Sequence, residues 1–297
     1  MANSLEKDNC PPIQLKGFWL NLPEATQRNE LIIEQLNRLG IKSHYSRIEA
    51  SHGTPTKAKE LGIRGPWKGT PGKREWGAWK GWLQMLKAAC RADADVIHLI
   101  EDDIEIAPEF LKLFNWNKLR ATLNSGAIIC TDGYCSPSQA LSILAQIQKN
   151  KNSEPEWQII DEGLHIPCIN SILITPDTAL RLFNHLTDKF EQADSMPPVD
   201  IAMKDFSQGW LTLAPFCTGP SLKMSKQSTI RLQDEDDLAN SRVALTLLRC
   251  CLMSKIDREQ MINEFCCIIN SLPEEKFTYI VSKMIKELSE LGHIKAY

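Results

Sequence analysis

The chain lacks the features that mark membrane-spanning, secreted and zinc-binding proteins. Its 297 residues contain no run of about 18 apolar residues, so no membrane-spanning helix is expected. The first residues are polar and contain no apolar segment like that of a signal peptide. Ten cysteines are present but none forms a Cys-x-x-Cys pair, which favours buried, reduced thiols over a metal site. We therefore expect a cytoplasmic protein.

The chain also has no excess of positive charge. Its 34 Lys and Arg residues against 37 Asp and Glu residues give a net charge of −3, which argues against nucleic acid as a partner. The segment Lys223-Met-Ser-Lys-Gln-Ser228 resembles the Lys-Met-Ser-Lys-Ser loop of class I aminoacyl-tRNA synthetases. Those enzymes also require a His-Ile-Gly-His motif, which the chain does not contain, and Leu164-His-Ile-Pro167 does not replace it. We reject this interpretation.

What the chain does contain is an apolar run that ends in three consecutive carboxylates. Val96 to Ile100 is short and rich in β-branched residues, which predicts a strand buried on both faces. Glu101-Asp102-Asp103 would be costly to bury, so we expect it at the strand's carboxyl end, where open α/β sheets form their ligand crevice. Because side chains alternate along an extended chain, Glu101 and Asp103 should point away from Asp102. Such oxygens suit a hard divalent cation, and a solvated loop is the alternative.

The rest of the pattern predicts strands that alternate with helices, which is typical of a sheet with crossover helices. The predicted strands are 17–22, 45–48, 96–100, 127–131, one within 166–175, and 210–216. The predicted helices are 23–40, 74–91, 108–119, 138–148, 176–186 and one that begins in 196–203. After Asp234 the pattern is helical only. We therefore predict a leader at 1–15, an α/β domain at 16–233 and a helical C-terminal extension at 234–297.

A basic segment precedes the central strand. From Lys57 to Lys80 the sequence has seven Lys and Arg residues but only two acidic residues, Glu60 and Glu75. The first part of this segment is rich in Gly and Pro, which predicts a loop. A cationic loop beside an acidic cation site is what a nucleotide diphosphate would require, although a solvated surface loop has the same composition. Three tryptophans at the end of this segment and just beyond it recur at helical spacing: Trp76, Trp79 and Trp82. This spacing favours core packing over a sugar-binding platform.

Several segments resemble, in order and spacing, the motifs of glycosyltransferase family 25, which includes lipooligosaccharide and collagen galactosyltransferases. The resemblance covers about residues 16 to 231. It is carried by Asn21-Leu22 with Arg28, Leu39-Gly40-Ile41, Ala50-Ser-His-Gly53, Arg74-Glu75-Trp76-Gly77, Ile100-Glu101-Asp102-Asp103, Cys168-Ile-Asn-Ser-Ile-Leu-Ile-Thr-Pro176, Pro198-Val199-Asp200, and Pro220-Ser221-Leu222 with Ser228. The family commonly has Ser-His where this chain has Gly81-Trp82.

The resemblance implies a GT-A-type fold and an inverting, metal-dependent transfer of a sugar. The donor would be a nucleotide-sugar such as a UDP-hexose, the cofactor Mn²⁺ or Mg²⁺, and the acceptor a hydroxyl of a glycan, lipid-linked saccharide or protein. Asp103 would bind the metal with help from Glu101 or Asp102, and Glu101 and Asp102 would also help to bind the nucleotide-sugar. The nucleotide-sugar would also be bound near the end of the first strand, by Asn21, Leu22 and Arg28.

Such a transfer also needs a general base for the acceptor hydroxyl. Asp200 is the first candidate, because it matches the Pro-Val-Asp motif of the family. A helix N-cap is the alternative role for this residue. Asp132 is the reserve candidate, since it also follows a predicted strand.

A hypothesis from another class remains beside the enzyme. The departure at Gly81-Trp82 favours a catalytically weak GT-A domain that acts as a binding or scaffold module through its C-terminal helices, which could also support self-association. The intact triplet Glu101-Asp102-Asp103 favours the enzyme. The sequence identifies neither the sugar nor the acceptor.

Overall fold

The fold is α/β, as predicted, with a central sheet of seven strands and helices on both of its faces. A computed structural model describes residues 13–51, 72–133, 143, 157–161, 170–192, 199–206, 209–221 and 253. The strands are β1 Leu15–Asn21, β2 Tyr45–Glu49, β3 Val96–Glu101, β4 Ile104–Ile106, β5 Ile128–Cys130, β6 Gln158–Asp161, β7 Ser171–Ile174, β8 Trp210–Ala214 and β9 Thr218–Pro220. The α-helices are α1 Thr26–Arg38, α2 Gly72–Ala89, α3 Asn117–Asn124, α4 Pro176–Gln192 and α5 Val199–Lys204.

The order of the strands brings distant parts of the chain to one edge of the sheet. The order is β2-β1-β3-β7-β5-β8-β6, and β4 pairs with β9 in a separate antiparallel ribbon. Pairing is parallel between β1 and β2, β1 and β3, and β5 and β8, whereas β7 is antiparallel to both of its neighbours and β6 is antiparallel to β8. Five strands therefore share one direction, and their carboxyl ends lie at the same edge.

Each face of the sheet is covered by its own set of helices. One core packs α2, α4 and α5 against side chains such as Leu20 and Leu99, and the other packs α1 and α3 against side chains such as Trp19 and Ile100. The run Val96 to Ile100 is buried throughout, so the prediction of a strand covered on both faces is confirmed. None of the described helices is long and apolar enough to cross a membrane.

Some predicted elements are wrong in extent, and three strands were missed. The predicted helix 108–119 is interrupted at Trp116, whose extended backbone separates a 3-10 helix, Pro108–Asn115, from α3. The strand predicted at 210–216 ends at Ala214, before a cis peptide bond to Pro215. The missed strands are β4, β6 and β9. Two of these have only three residues, and β9 is Thr-Gly-Pro, which carries no strand signal of its own.

The polar exception in the apolar pattern of α1 has a structural reason. Ile32 and Leu36 of this helix are fully buried, while Gln35 between them faces β4. Its side-chain amide donates to Ile104 O at 3.0 Å, and its carbonyl oxygen accepts from Ile106 N at 2.8 Å. Gln35 therefore hydrogen-bonds the edge of β4 that does not pair with β9, and so fixes the strand that directly follows the acidic triplet.

Several predictions fall on parts of the chain that lie outside the described residues. They are the leader up to residue 12, the basic segment from residue 57 to residue 71, the side chain of Trp76, the helix predicted at 138–148 apart from residue 143, and the C-terminal extension apart from residue 253.

Candidate functional site

The acidic triplet lies at the point where the order of the strands reverses. From β1 the chain passes to β2 on one side, then crosses to β3 on the other side. In open α/β sheets the crevice outside the carboxyl ends at such a point is the usual ligand site. Here β1 ends at Asn21 and β3 ends at Glu101. The sheet therefore places Asn21 beside the acidic triplet, although 81 residues separate Asn21 from Asp102.

The three carboxylates of the triplet do not share one environment. Asp102 points to the face covered by α1, where its Oδ1 lies 3.0 Å from Arg28 Nη1 and its Oδ2 accepts from Asn21 Nδ2 at 2.6 Å. All three of these side chains are buried, and Asn21 Nδ2 also donates to Ala25 O at 3.1 Å. Asn21 and Arg28, predicted to contact a nucleotide, thus clamp Asp102 and join β1, α1 and β3 beneath the crevice.

Glu101 points to the opposite face, toward α2. Its Oε1 accepts a hydrogen bond from Trp82 Nε1 at 3.0 Å, and the indole of Trp82 is 1% exposed. The prediction that this tryptophan and Trp79 belong to the core is confirmed, since both are buried against the sheet. The contact with Glu101 was not predicted. Its only sequence signal is the departure at Gly81-Trp82 from the family's Ser-His.

Gly81 allows α2 to lie close enough for this contact. A Cβ built on Gly81 would lie 2.5 Å from Leu20 Cδ2 and 2.7 Å from Leu20 Cδ1, far inside van der Waals contact. The glycine therefore brings one turn of the helix directly onto β1. Because Trp82 is the next residue, the same close approach carries its indole toward the end of β3.

Asp103 is positioned by its backbone as the chain turns into the β4–β9 ribbon. Its carbonyl oxygen accepts from Ser221 N at 2.7 Å, and Ser221 Oγ donates to Glu105 Oε1 at 3.1 Å. Ser221 follows β9, so the late part of the sequence helps to shape the acidic turn. Sequence reasoning noted the Pro220-Ser221-Leu222 segment but did not foresee that it contacts the triplet.

Asp200 lies on α5, which packs against the same face of the sheet as α2. It lies in the first turn of this helix, and its Oδ1 accepts from Ile201 N at 3.0 Å. Among the causes that raise the pKa of Glu101, burial comes first and the negative charge of Asp200 last. The candidate base and the candidate metal ligand, 99 positions apart in the chain, thus lie on the same face of the sheet.

The two remaining predicted residues lie farther along the same edge or below it. Asp132 is buried and follows β5, a strand separated from β3 by β7. Burial raises the pKa of Cys130, and the charge of Asp132 raises it further. Leu22 follows β1, packs against the core on the α2 face, and its carbonyl accepts from Ala25 N at 3.0 Å.

Burial governs the ionisation of the triplet. Burial raises the pKa of Glu101 well above its ordinary value, Asp103 raises it further, and the indole N–H of Trp82 acts in the opposite direction. Burial also raises the pKa of Asp102 to about 6, although the Arg28 guanidinium and the Asn21 amide favour its charged form. Crowded carboxylates with raised pKa values are typical of sites where a cation or a proton is part of the function.

A divalent cation fits part of this arrangement. Among the described residues no group of three or more His, Cys, Asp and Glu side chains is arranged to hold a metal ion. Asp102 is engaged by Arg28 and Asn21, so Asp103 and Glu101 are the carboxylates of the triplet that could bind a cation. One or two carboxylates are what Mg²⁺ commonly takes from a protein, because substrate phosphates and water complete its shell.

A scan against protein-family models gives no match for this chain, and a search of the curated proteins finds none that matches it. Function is therefore inferred from the chemistry of the site and from the motif resemblance described above.

Proposed function

We propose that the protein is an inverting, metal-dependent glycosyltransferase with a GT-A-type domain. It would move a sugar, such as the hexose of a UDP-hexose, to a hydroxyl of a glycan, lipid-linked saccharide or protein. The observation that carries the proposal is the group of three carboxylates at the switch point of the sheet, Glu101, Asp102 and Asp103, with Asp200 on a helix that packs on the same face as Glu101. The motif resemblance to family 25 supports the same activity.

In the proposed reaction the acceptor oxygen bonds to the anomeric carbon from the side opposite the diphosphate. The carbon–oxygen bond to the diphosphate breaks, and its electron pair leaves with the diphosphate. Asp200 accepts the proton of the acceptor hydroxyl as general base. The position of Asp200 on α5, which packs on the same face of the sheet as Glu101, supports this assignment.

The leaving diphosphate needs positive charge at the same time. A divalent cation held by Asp103 and Glu101 would neutralise it as a Lewis acid. Asp102 has a different role in this proposal, because its two oxygens are taken up by Arg28 and Asn21. That clamp fixes the turn between β3 and β4 from below, so that Glu101 and Asp103 are presented on a rigid edge. Arg28 and Asn21 then act on the nucleotide site through Asp102.

The departure at Gly81-Trp82 has a packing explanation in this fold. Gly81 allows α2 to approach Leu20, and Trp82 donates to Glu101. The packing of this pair around Glu101 supports the enzyme over a catalytically weak binding or scaffold module.

The experiment that tests the proposal is the binding of a nucleotide-sugar with and without Mn²⁺. A panel of nucleotide-sugars is first screened by thermal shift, because a donor at 100 times its dissociation constant stabilises the protein by about 2.7 kcal/mol. Calorimetry and donor hydrolysis then compare the parent protein with Asp103→Asn. We expect the variant to fold normally and to lose Mn²⁺-dependent donor binding.

The matched control is Asp95→Asn. Asp95 lies just before β3, at the opposite end of the strand from the triplet, and its Oδ2 accepts from Gln14 N at 2.9 Å. Asparagine retains an oxygen for that bond, so donor binding should be unchanged. The proposal is wrong if Asp103→Asn binds Mn²⁺ and donor as the parent does, or if no nucleotide-sugar stabilises the parent.

A further inference from the structure

Trp82 combines two properties that a core residue does not need together. Its ring is 1% exposed and packs in the core between α2 and the sheet, yet its Nε1 lies 3.0 Å from Glu101 Oε1 at the carboxyl end of β3. Gly81 brings this turn of α2 onto Leu20, where any larger residue would clash. The indole is therefore a rigid donor whose position is set by packing from behind.

Glu101 needs such a donor if it is to bind a cation. Its side chain has several rotatable bonds and lies among the negative charges of Asp103, Asp102 and Asp200. Repulsion from these groups would turn an unrestrained carboxylate away from them. A carboxylate has two oxygens, so the hydrogen bond to Oε1 leaves Oε2 to bind a cation.

We infer that Trp82 is a positioning residue, which holds the Glu101 carboxylate in the orientation that binds a divalent cation beside Asp103. The inference rests on the proposed function and adds to it a residue that no motif of the resembled family supplies. The loss of a hydrogen-bond partner of a metal ligand commonly weakens metal affinity about 10- to 100-fold. Trp82 would thus determine how tightly the site binds its cation, without touching cation or substrate itself.

The test measures the affinity for Mn²⁺ directly, in the presence of UDP, from the electron paramagnetic resonance signal of free Mn²⁺. Trp82→Phe removes the N–H and keeps an aromatic ring, and we expect about 10- to 100-fold weaker Mn²⁺ binding. Trp19→Phe is the matched control, because Trp19 is equally buried and its Nε1 donates to Asn29 Oδ1 at 3.0 Å, on the opposite face of the sheet from Glu101. Its Mn²⁺ affinity should equal that of the parent.

A second substitution separates the hydrogen bond from the shape of the ring. Benzothienylalanine at position 82, introduced by nonsense suppression, replaces the indole N–H by sulfur and retains the fused ring. Because the shape of the ring is kept, this protein should fold even if Trp82→Phe fails to fold. Its Mn²⁺ binding should be weakened about 10- to 100-fold, as expected for Trp82→Phe.

The location of the cation is checked with Tb³⁺, a hard cation whose luminescence is sensitised by a nearby tryptophan. With each variant saturated with Tb³⁺, sensitised emission should fall strongly in Trp82→Phe and little in Trp19→Phe, and an equal fall in the two would contradict a cation beside Glu101.

The outcomes distinguish the two hypotheses. If the parent binds Mn²⁺, Asp103→Asn does not, and both changes at position 82 leave the affinity unchanged, the role of Trp82 is refuted while the proposed cation site stands. If the parent binds no Mn²⁺ even with UDP, the proposed metal-dependent function fails and the role of Trp82 fails with it. Weaker binding in both position-82 proteins, with an unchanged control, supports the inference.

Discussion

His98 offers a quantitative test of the buried interior beneath the site. It lies on β3, fully buried, with its Nδ1 2.6 Å from Tyr45 Oη and its Nε2 2.8 Å from Ser171 Oγ. Its ring also stacks on Phe110 at a centroid distance of 4.6 Å. Ser171 Oγ continues the chain of hydrogen bonds to Thr131 Oγ1 at 2.6 Å. A neutral imidazole, with one donor and one acceptor nitrogen, satisfies both of its neighbours.

Burial lowers the pKa of His98 from its ordinary value of 6.5 to about 3. Between about pH 3 and pH 6.5 the imidazole binds a proton in the unfolded chain but not in the folded protein, so the free energy of unfolding falls as the pH falls below 6.5. The contribution is fully present above pH 6.5 and continues to be lost down to about pH 3. Between about pH 7.5 and about pH 5.5 His98 alone should cost about 1.4 kcal/mol of stability.

The variant that isolates this contribution is His98→Gln. Its carboxamide cannot titrate in this range, and it offers one acceptor oxygen and an NH₂ donor for Tyr45 and Ser171. Urea unfolding of the parent and the variant is measured at both pH values. Glu101 and Asp102, whose pKa values are raised, act in the opposite direction but in both proteins, so their contributions cancel in the difference.

We expect the parent to lose about 1.4 kcal/mol more than the variant on acidification. The reasoning would be refuted if the two proteins lost stability in parallel, because His98 would then be protonated or hydrated in the folded state. NMR of the imidazole gives an independent check: its resonances should not titrate near pH 6.5 in the folded protein.

Two further predictions concern residues at the edge of the crevice. Asp200→Asn should retain Mn²⁺ and donor affinity but lose roughly 10²–10⁴-fold in the rate of sugar transfer. Its stability should be unchanged, because asparagine can still accept from Ile201 N. Transfer within a few-fold of the parent would move the role of base to Asp132. Gly81→Ala should lower the free energy of unfolding, measured with urea, by about 1–3 kcal/mol because its methyl group clashes with Leu20. This loss should be smaller in a protein that also carries Leu20→Ala. An equal loss in both backgrounds would contradict the packing argument.

The local pattern of the sequence was enough to predict β3 and the acidic turn. A run of apolar side chains has few ways to avoid water other than as a strand between two layers, and the run from Val96 to Ile100 is buried on both faces. Side-chain alternation also predicted that Asp102 would face away from Glu101. The two residues do lie on opposite faces, one against α1 and the other against α2.

Only the tertiary structure decided what each carboxylate contacts. Arg28 and Asn21 reach Asp102 because α1 covers one face of the sheet, and Trp82 reaches Glu101 because Gly81 lets α2 approach the other. Each of these contacts joins residues that are distant in sequence, so no window of the sequence contains both partners.

The short strands show the same division. β4 and β9 have too few residues to carry a period of their own, and each exists because the other pairs with it. Gln35 appeared in the sequence only as a break in the apolar pattern of α1, whereas in the fold its amide completes the hydrogen bonding of β4. Burial and alternation are local properties that a sequence carries by itself, while hydrogen-bond partners depend on how whole helices pack against the sheet.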